Sequence, residues 1–134
     1  MEITINWLGV ILAFVVGMAV AMAWYDKRTV GPAWTKLTGV KKANKAAFIG
    51  LFITNFITAL TLAVAISISA SYFNNDSLWL ALAVGFVAWL GFSASTLAQH
   101  NGFELKPTKL TIINAGYHLV LCLSMALVIG LLGA

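Results

Sequence analysis

Four long apolar runs dominate the chain, and each is separated from the next by a shorter polar segment. The runs cover residues 5–24, 46–72, 78–98 and 110–132. A helix needs about 20 apolar residues to cross the hydrocarbon core of a bilayer, so each run predicts one membrane-spanning helix. Short connections favour neighbouring helices that run in opposite directions. We therefore expect an all-α membrane protein, with residues 1–134 forming a single four-span domain built as an antiparallel bundle.

The first connection contains a short helical pattern of its own. In residues 31–39, Pro32 suits the first helical turn and Gly39 suits a helix end. Trp34 and Leu37 are three residues apart, so they share one face of such a helix. We expect a short interfacial helix here, with this face on the headgroup boundary.

Composition excludes an ordinary water-soluble fold. Hydrophobic residues make up 61% of the chain and charged residues only 9%, whereas soluble domains carry about 25% charged residues. The net charge of +4 does not indicate nucleic acid, because the basic residues lie in short loops rather than on a soluble basic face. We expect anionic lipid headgroups as their partners, bound by Lys27, Arg28, Lys36, Lys41, Lys42 and Lys45.

The positions of the basic residues predict the orientation. All eight lie in the first connection or at the third, where Lys106 and Lys109 are found. The positive-inside rule then places both basic loops in the cytoplasm and both termini outside. No basic residue precedes the first run, so we expect a retained helix and not a signal peptide.

Small residues predict where helices pack closely. The first run carries them at strict four-residue spacing, a pattern that allows close backbone approach: Gly9, Ala13, Gly17 and Ala21. The second run has a stripe of small and hydroxyl residues, which predicts either a helix contact, within the monomer or between copies, or the lining of a wet passage: Gly50, Thr54, Thr58, Thr61, Ala65 and Ser69.

A polar cluster is predicted in the inner half of the bundle. Asn114, Tyr117 and His118 share one face of the fourth helix. At 1.5 Å per residue, His118 lies about 13 Å above Lys109, near the middle of the membrane. The same reasoning brings further residues to this level or between it and the cytoplasm. The candidate solute-binding set is His118, Asn114, Tyr117, Asn55, Thr58, Ser93, Thr96 and Trp89.

His118 supports two interpretations. An ionisable residue in mid-membrane is a candidate for handling protons or substrate, whereas a neutral histidine hydrogen-bonded to Asn55 or Tyr117 only joins helices. No acidic residue lies within a span, which excludes a carboxylate proton relay there. Zinc needs three or four ligands, and His118 with Cys122 supplies two, so we predict no metal and no cofactor. As the only cysteine, Cys122 has no partner for an internal disulfide.

Several motifs together resemble a known family. They are Trp24-Tyr25, then Gly31, Trp34, Leu37 and Gly39, then Trp89-Leu90-Gly91-Phe92, and finally Asn114-Ala115-Gly116-Tyr117-His118-Leu119. This pattern resembles the bacterial membrane-protein family labelled domain of unknown function 1761, over essentially the whole chain. The resemblance implies a small four-span inner-membrane protein and brings no established activity.

Three functions remain open from the sequence. We favour a homo-oligomeric bundle that binds or passes a small solute, ion or proton through a cytoplasm-facing pocket around His118. The second is a structural or assembly protein whose polar groups only join helices. The third is an enzyme acting on a lipid or quinone-like substrate, with His118 as acid/base and Tyr117 as donor.

Overall fold

A computed structural model describes residues 3–42 and 44–133, and within these ranges the chain is helical without strands. The helices are α1 (Trp7–Trp24), α2 (Gly31–Thr38), α3 (Lys45–Phe73), α4 (Leu78–Ala88), α5 (Ser95–Phe103) and α6 (Thr108–Leu132), with a π-helical segment (Trp89–Ala94) between α4 and α5. Four helices are long and apolar enough to cross a membrane: α1, α3, the continuous Leu78–Phe103 helix and α6. The all-helical, four-span prediction is confirmed.

The helix ends agree with the predicted boundaries, with one larger difference. The first helix starts at Trp7 instead of residue 5, and the third continues to Phe103 instead of ending at residue 98. Polar residues at 99–101 mark the end of an apolar run, but they do not break a helix, so hydropathy alone underestimated its length. In the first connection α2 ends at Thr38 and is capped by Gly39, whose left-handed φ of 75° suits glycine, as predicted.

Helix α6 is the centre of the bundle, because α1, α3 and α4 all pack against it. At one end of α1, the Asn6 amide donates to the carbonyl oxygens of Leu132 and Gly133 at 3.0 and 3.1 Å. At its other end, the Trp24 indole N–H donates to the Ile113 carbonyl at 3.1 Å. The latter end also carries residues 25–42 of the first connection and residues 104–107 of the third, and we call it the basic end.

Close packing depends on small residues. All four residues of the predicted α1 stripe are buried, and a Cβ at Gly17 would collide with Met125. A second contact of this kind, missed in the sequence, joins α4 to α6. There a Cβ at Gly85 would lie 2.8 Å from the Ala126 Cβ, and one at Gly130 would lie 2.8 Å from the Ala81 Cβ.

The stripe predicted on α3 does not form the helix contact within the monomer. Thr54 and Thr61 are exposed, while α3 is buried along the neighbouring face: Asn55, Ala59, Leu62, Ala63, Ile66 and Ser67. The physical reason is that hydroxyls in this stripe bond to their own helix, as Thr58 does to the Thr54 carbonyl at 2.8 Å, so they need no neighbour. Contact between copies stays a prediction.

Candidate functional site

The Trp24-Tyr25 pair at the end of α1 docks onto the first turns of α6. Besides donating to the Ile113 carbonyl, the Trp24 ring lies over Gly116, where an added Cβ would stand 3.1 Å from Cζ2. The Tyr25 hydroxyl donates to Asn114 Oδ1 at 2.7 Å. Gly116 is therefore the residue that lets the indole approach α6.

A second tryptophan holds the same turns of α6 from the other side. The indole N–H of Trp89, at the start of the π-helical segment, donates to the Ala115 carbonyl at 2.8 Å. Nearer the basic end, the Asn101 amide donates to the Thr111 hydroxyl at 3.0 Å. Residues 113–117 are thus fixed by side chains from both neighbouring spans.

An aromatic column runs from the first connection into the bundle. Ring centroids are 5.5 Å apart between Trp34 and Tyr25, 5.2 Å between Tyr25 and Tyr117, and 4.9 Å between Tyr117 and His118. The inclined arrangements are those that aromatic rings prefer. Burial, with a smaller effect from Tyr117, raises the pKa of the Tyr25 phenol, so Tyr25 stays protonated and remains a hydrogen-bond donor to Asn114.

A cavity of about 670 Å³ opens at the basic end between α1, α2, α3 and α6, a volume within the range of small-molecule sites. Its polar lining comes from Thr35, Asn114 and Tyr117, and its aromatic lining from Tyr25 and Trp34. The remaining lining residues are apolar or lie in the charged loop: Ala21, Met22, Val40, Phe48, Leu51, Asp26, Lys27, Lys41 and Lys42.

Tyr117 is the unusual polar group of this cavity. It is only 6% exposed, and its buried hydroxyl has no hydrogen-bond partner within residues 3–42 and 44–133. Asn55, itself 2% exposed, lies within interaction distance of this hydroxyl, and its amide also donates to the Met18 sulfur at 3.2 Å. Leaving a buried hydroxyl unpaired costs about 1–3 kcal/mol, and Asn55 is the neighbouring polar side chain that can reduce this cost.

The predicted solute-binding residues do not share one cavity. Asn114 and Tyr117 line it, and Asn55 is buried close to Tyr117. His118 is half-buried against the Tyr117 ring but is not among the lining residues, so the cavity is centred on Tyr117 instead. The others lie elsewhere, with Thr58 bonded to its own helix, Trp89 bonded to α6, Ser93 half-buried and Thr96 exposed.

Sequence reasoning missed that the first connection forms part of the site. Lys27, Lys41 and Lys42 line the cavity, whereas the other predicted headgroup residues, Arg28, Lys36 and Lys45, do not. The sequence does contain a signal, the aromatic residues Tyr25 and Trp34 at the start and middle of this connection, of which Trp34 was expected to lie on the headgroup boundary. In the part of the chain that the structure describes, no three His, Cys, Asp or Glu side chains cluster as metal ligands would.

Comparison with known proteins agrees with the resemblance found in the sequence. The family model described as "Protein of unknown function (DUF1761)" matches residues 8–130. Searches of curated proteins and of solved structures returned no match. The Asn-Ala-Gly-Tyr-His string that carries the resemblance is the same stretch of α6 that Trp24, Tyr25 and Trp89 hold.

Proposed function

The chain belongs to the family described as protein of unknown function (DUF1761), and we propose that it is a membrane-embedded binding protein that holds one small molecule in the cavity at its basic end. The supporting observation is the cavity itself, about 670 Å³ in volume, whose wall combines Tyr25, Asn114 and Tyr117 with apolar side chains. Buried polar groups are nearly always hydrogen-bonded. A molecule that fills the cavity and excludes water would therefore bond to polar groups on its wall, such as the Asn114 side chain.

The packing above the cavity favours binding over passage through the monomer. Val10, Ala13, Ala59 and Met125 are fully buried in the middle and far part of the bundle, where they fill the space between α1, α3 and α6. Any route across the bilayer would therefore lie between copies of the chain. A homo-oligomer is thus proposed only for passage across the bilayer, and binding in the cavity does not depend on it.

The proposed location is a bacterial inner membrane with the basic end in the cytoplasm. All eight basic residues lie at that end, and cytoplasmic loops are the ones enriched in lysine and arginine. The cavity would then open toward the cytoplasm and the inner leaflet. Both termini would lie on the outer side.

One observation supports a structural role as the second candidate. Three aromatic side chains form hydrogen bonds to residues 113–115 of α6. These bonds hold the helices rigidly together, which an assembly protein also requires. The two functions differ in what they require of Tyr117, because a purely structural role gives no use to an unpaired hydroxyl.

The test fills the cavity with a larger side chain. Native mass spectrometry of the protein released from nanodiscs then measures the added mass of any bound molecule. Leu51→Trp places an indole in the cavity wall, and Leu127→Trp is the matched control on an outer face, where Leu127 is 39% exposed. We expect an added mass on the wild type and on the control but not on Leu51→Trp. A wild type without added mass, or an added mass that survives Leu51→Trp, contradicts the proposal.

Tyr117→Phe separates binding from structure. Removing this buried hydroxyl should leave the stability of the empty protein unchanged or raise it by about 1 kcal/mol, while a ligand that reaches the hydroxyl by a small side-chain movement loses about fivefold in affinity. Tyr72→Phe, at a residue that is 73% exposed, is the control and should change neither quantity. A Tyr117→Phe variant that is destabilised and still carries the added mass would favour the structural role.

A further inference from the structure

We infer that the ligand of this cavity is an anionic amphiphile, with an acidic head group at the lysine rim and a hydrocarbon chain lying between α1 and α3. The inference rests on the proposed function and names its ligand class. It follows from the way charge and apolar surface are divided around the cavity.

The rim carries an excess of positive charge. Lys27, Lys41 and Lys42 are exposed and line the cavity, against the single carboxylate of Asp26. That carboxylate accepts a hydrogen bond from the Arg28 backbone N–H at 3.2 Å. Among the described ranges the only salt bridge lies elsewhere, between Glu104 and Lys106, so the three rim lysines make none there.

The wall between α1 and α3 is apolar and open to the side. Met22 on α1 is 60% exposed and Phe48 on α3 is 48% exposed, although both line the cavity. Further from the basic end, Phe14 packs against Phe52 at 4.7 Å and closes the gap between the two helices. A hydrocarbon chain can therefore leave the cavity between α1 and α3 and enter the lipid, on the side of this aromatic contact that faces the basic end.

The charge of the ligand must lie at the rim and not at the Tyr117 end. Burying an unpaired carboxylate or phosphate is far more costly than burying a hydroxyl or carbonyl group, and the basic side chains that line the cavity are the exposed rim lysines. An acidic head group at the water-facing rim stays hydrated and is also attracted by the positive charges of the rim lysines. Only uncharged parts of the ligand then reach Tyr117.

The experiment uses stearic acid with a nitroxide on its chain, in nanodiscs of zwitterionic phosphatidylcholine, and measures the immobilised fraction by electron paramagnetic resonance. Its methyl ester, with the same nitroxide, is the uncharged probe. The rim variant combines Lys27→Gln, Lys41→Gln and Lys42→Gln. Its charge-matched control combines substitutions outside the cavity: Lys36→Gln, Lys106→Gln and Lys109→Gln.

We expect the acid to bind tightly to the wild type and to the control variant, and the ester to bind weakly. Each lysine near a membrane surface contributes roughly fivefold to the binding of an acidic group, so the rim variant should lose about a hundredfold in affinity for the acid. Inorganic phosphate, added at constant ionic strength, should displace the acid only weakly, because it has no chain.

The other outcomes separate this inference from the proposed function. If acid and ester bind equally and Leu51→Trp abolishes both, the cavity binds amphiphiles and the acidic head is wrong. If phosphate displaces the acid completely, the site recognises a soluble anion, and the inference that the ligand carries a hydrocarbon chain is wrong. If the wild type immobilises neither probe, the inference is wrong, and the added mass on the wild type and its loss in Leu51→Trp decide separately whether the proposed function also fails.

Discussion

The contact between α4 and α6 makes a sharp prediction for Gly130→Ala. A Cβ at this position would lie 2.8 Å from the Ala81 Cβ and 3.0 Å from Leu78 Cδ1. The leucine methyl can rotate away, but the alanine methyl is fixed to its backbone. Because ordinary contact begins at 3.4 Å, the two helices would have to separate locally by about 0.6 Å.

The magnitude follows from two opposing terms. Alanine in place of glycine favours a helix by up to about 1 kcal/mol, while overpacking a well-packed contact costs about 1–3 kcal/mol. Gly50→Ala isolates the first term, since a Cβ there meets nothing within 4 Å. We expect Gly130→Ala to be about 1–3 kcal/mol less stable than Gly50→Ala.

The assay is reversible unfolding by SDS titration in bicelles, followed by near-UV circular dichroism. Adding Ala81→Gly to Gly130→Ala removes the colliding methyl, so the double variant should recover stability relative to the sum of the single effects. We expect a favourable coupling of about 1 kcal/mol. The reasoning is refuted if Gly130→Ala matches Gly50→Ala in stability, or if the coupling is close to zero.

Three further predictions concern hydrogen bonds at the two ends of α1. Trp24→Phe should destabilise the fold by about 0.6 kcal/mol or more in the same titration, since it removes a bond between helices; an unchanged midpoint would contradict this role. Asn6→Ala should cost about 1 kcal/mol, because Asn6 both caps α1 and donates to α6, and Asn6→Asp should recover only the cap. Tyr25 has a raised pKa in the folded protein, so its stabilising effect is complete below the unfolded value of about 10 and declines as the pH rises above it. The stability advantage of the wild type over Tyr25→Phe should therefore shrink between pH 9 and 12, and an advantage that grew would show that this sign is wrong.

The candidate site was only partly predictable from the sequence. Asn114 and Tyr117 line the cavity, and their spacing, which places both on one face of α6, is visible in the sequence; their binding of a solute stays a prediction. His118 was also placed on that face, but the cavity does not include it. The lysine rim was assigned to lipid headgroups in general, since no local pattern connects Lys41 with Tyr117, far along the chain.

The α3 stripe shows why helix rotation was hard to predict. A four-residue spacing of small residues marks a face that can approach another helix, and in α1 that face is the buried one. In α3 a neighbouring face is buried, and it carries a four-residue series of its own, Ala59, Ala63 and Ser67. Two such faces therefore compete in α3, and spacing alone does not choose between them. A spacing rule states what a face permits, and packing against real neighbours decides which face is used.

The sequence by itself determined the four spans, the short α2 helix and the location of all basic residues at one end. These are local properties, since about 20 apolar residues satisfy the requirement for a span whatever the rest of the chain does. Only the tertiary structure decided which side chains meet. Each long helix is apolar on nearly all sides, so it lacks the polar face that sets the rotation of a helix in a soluble protein. The rotations come instead from contacts between different helices, such as Gly85 with Ala126 and Gly130 with Ala81, and these contacts bring Tyr117 to the cavity beside the first connection.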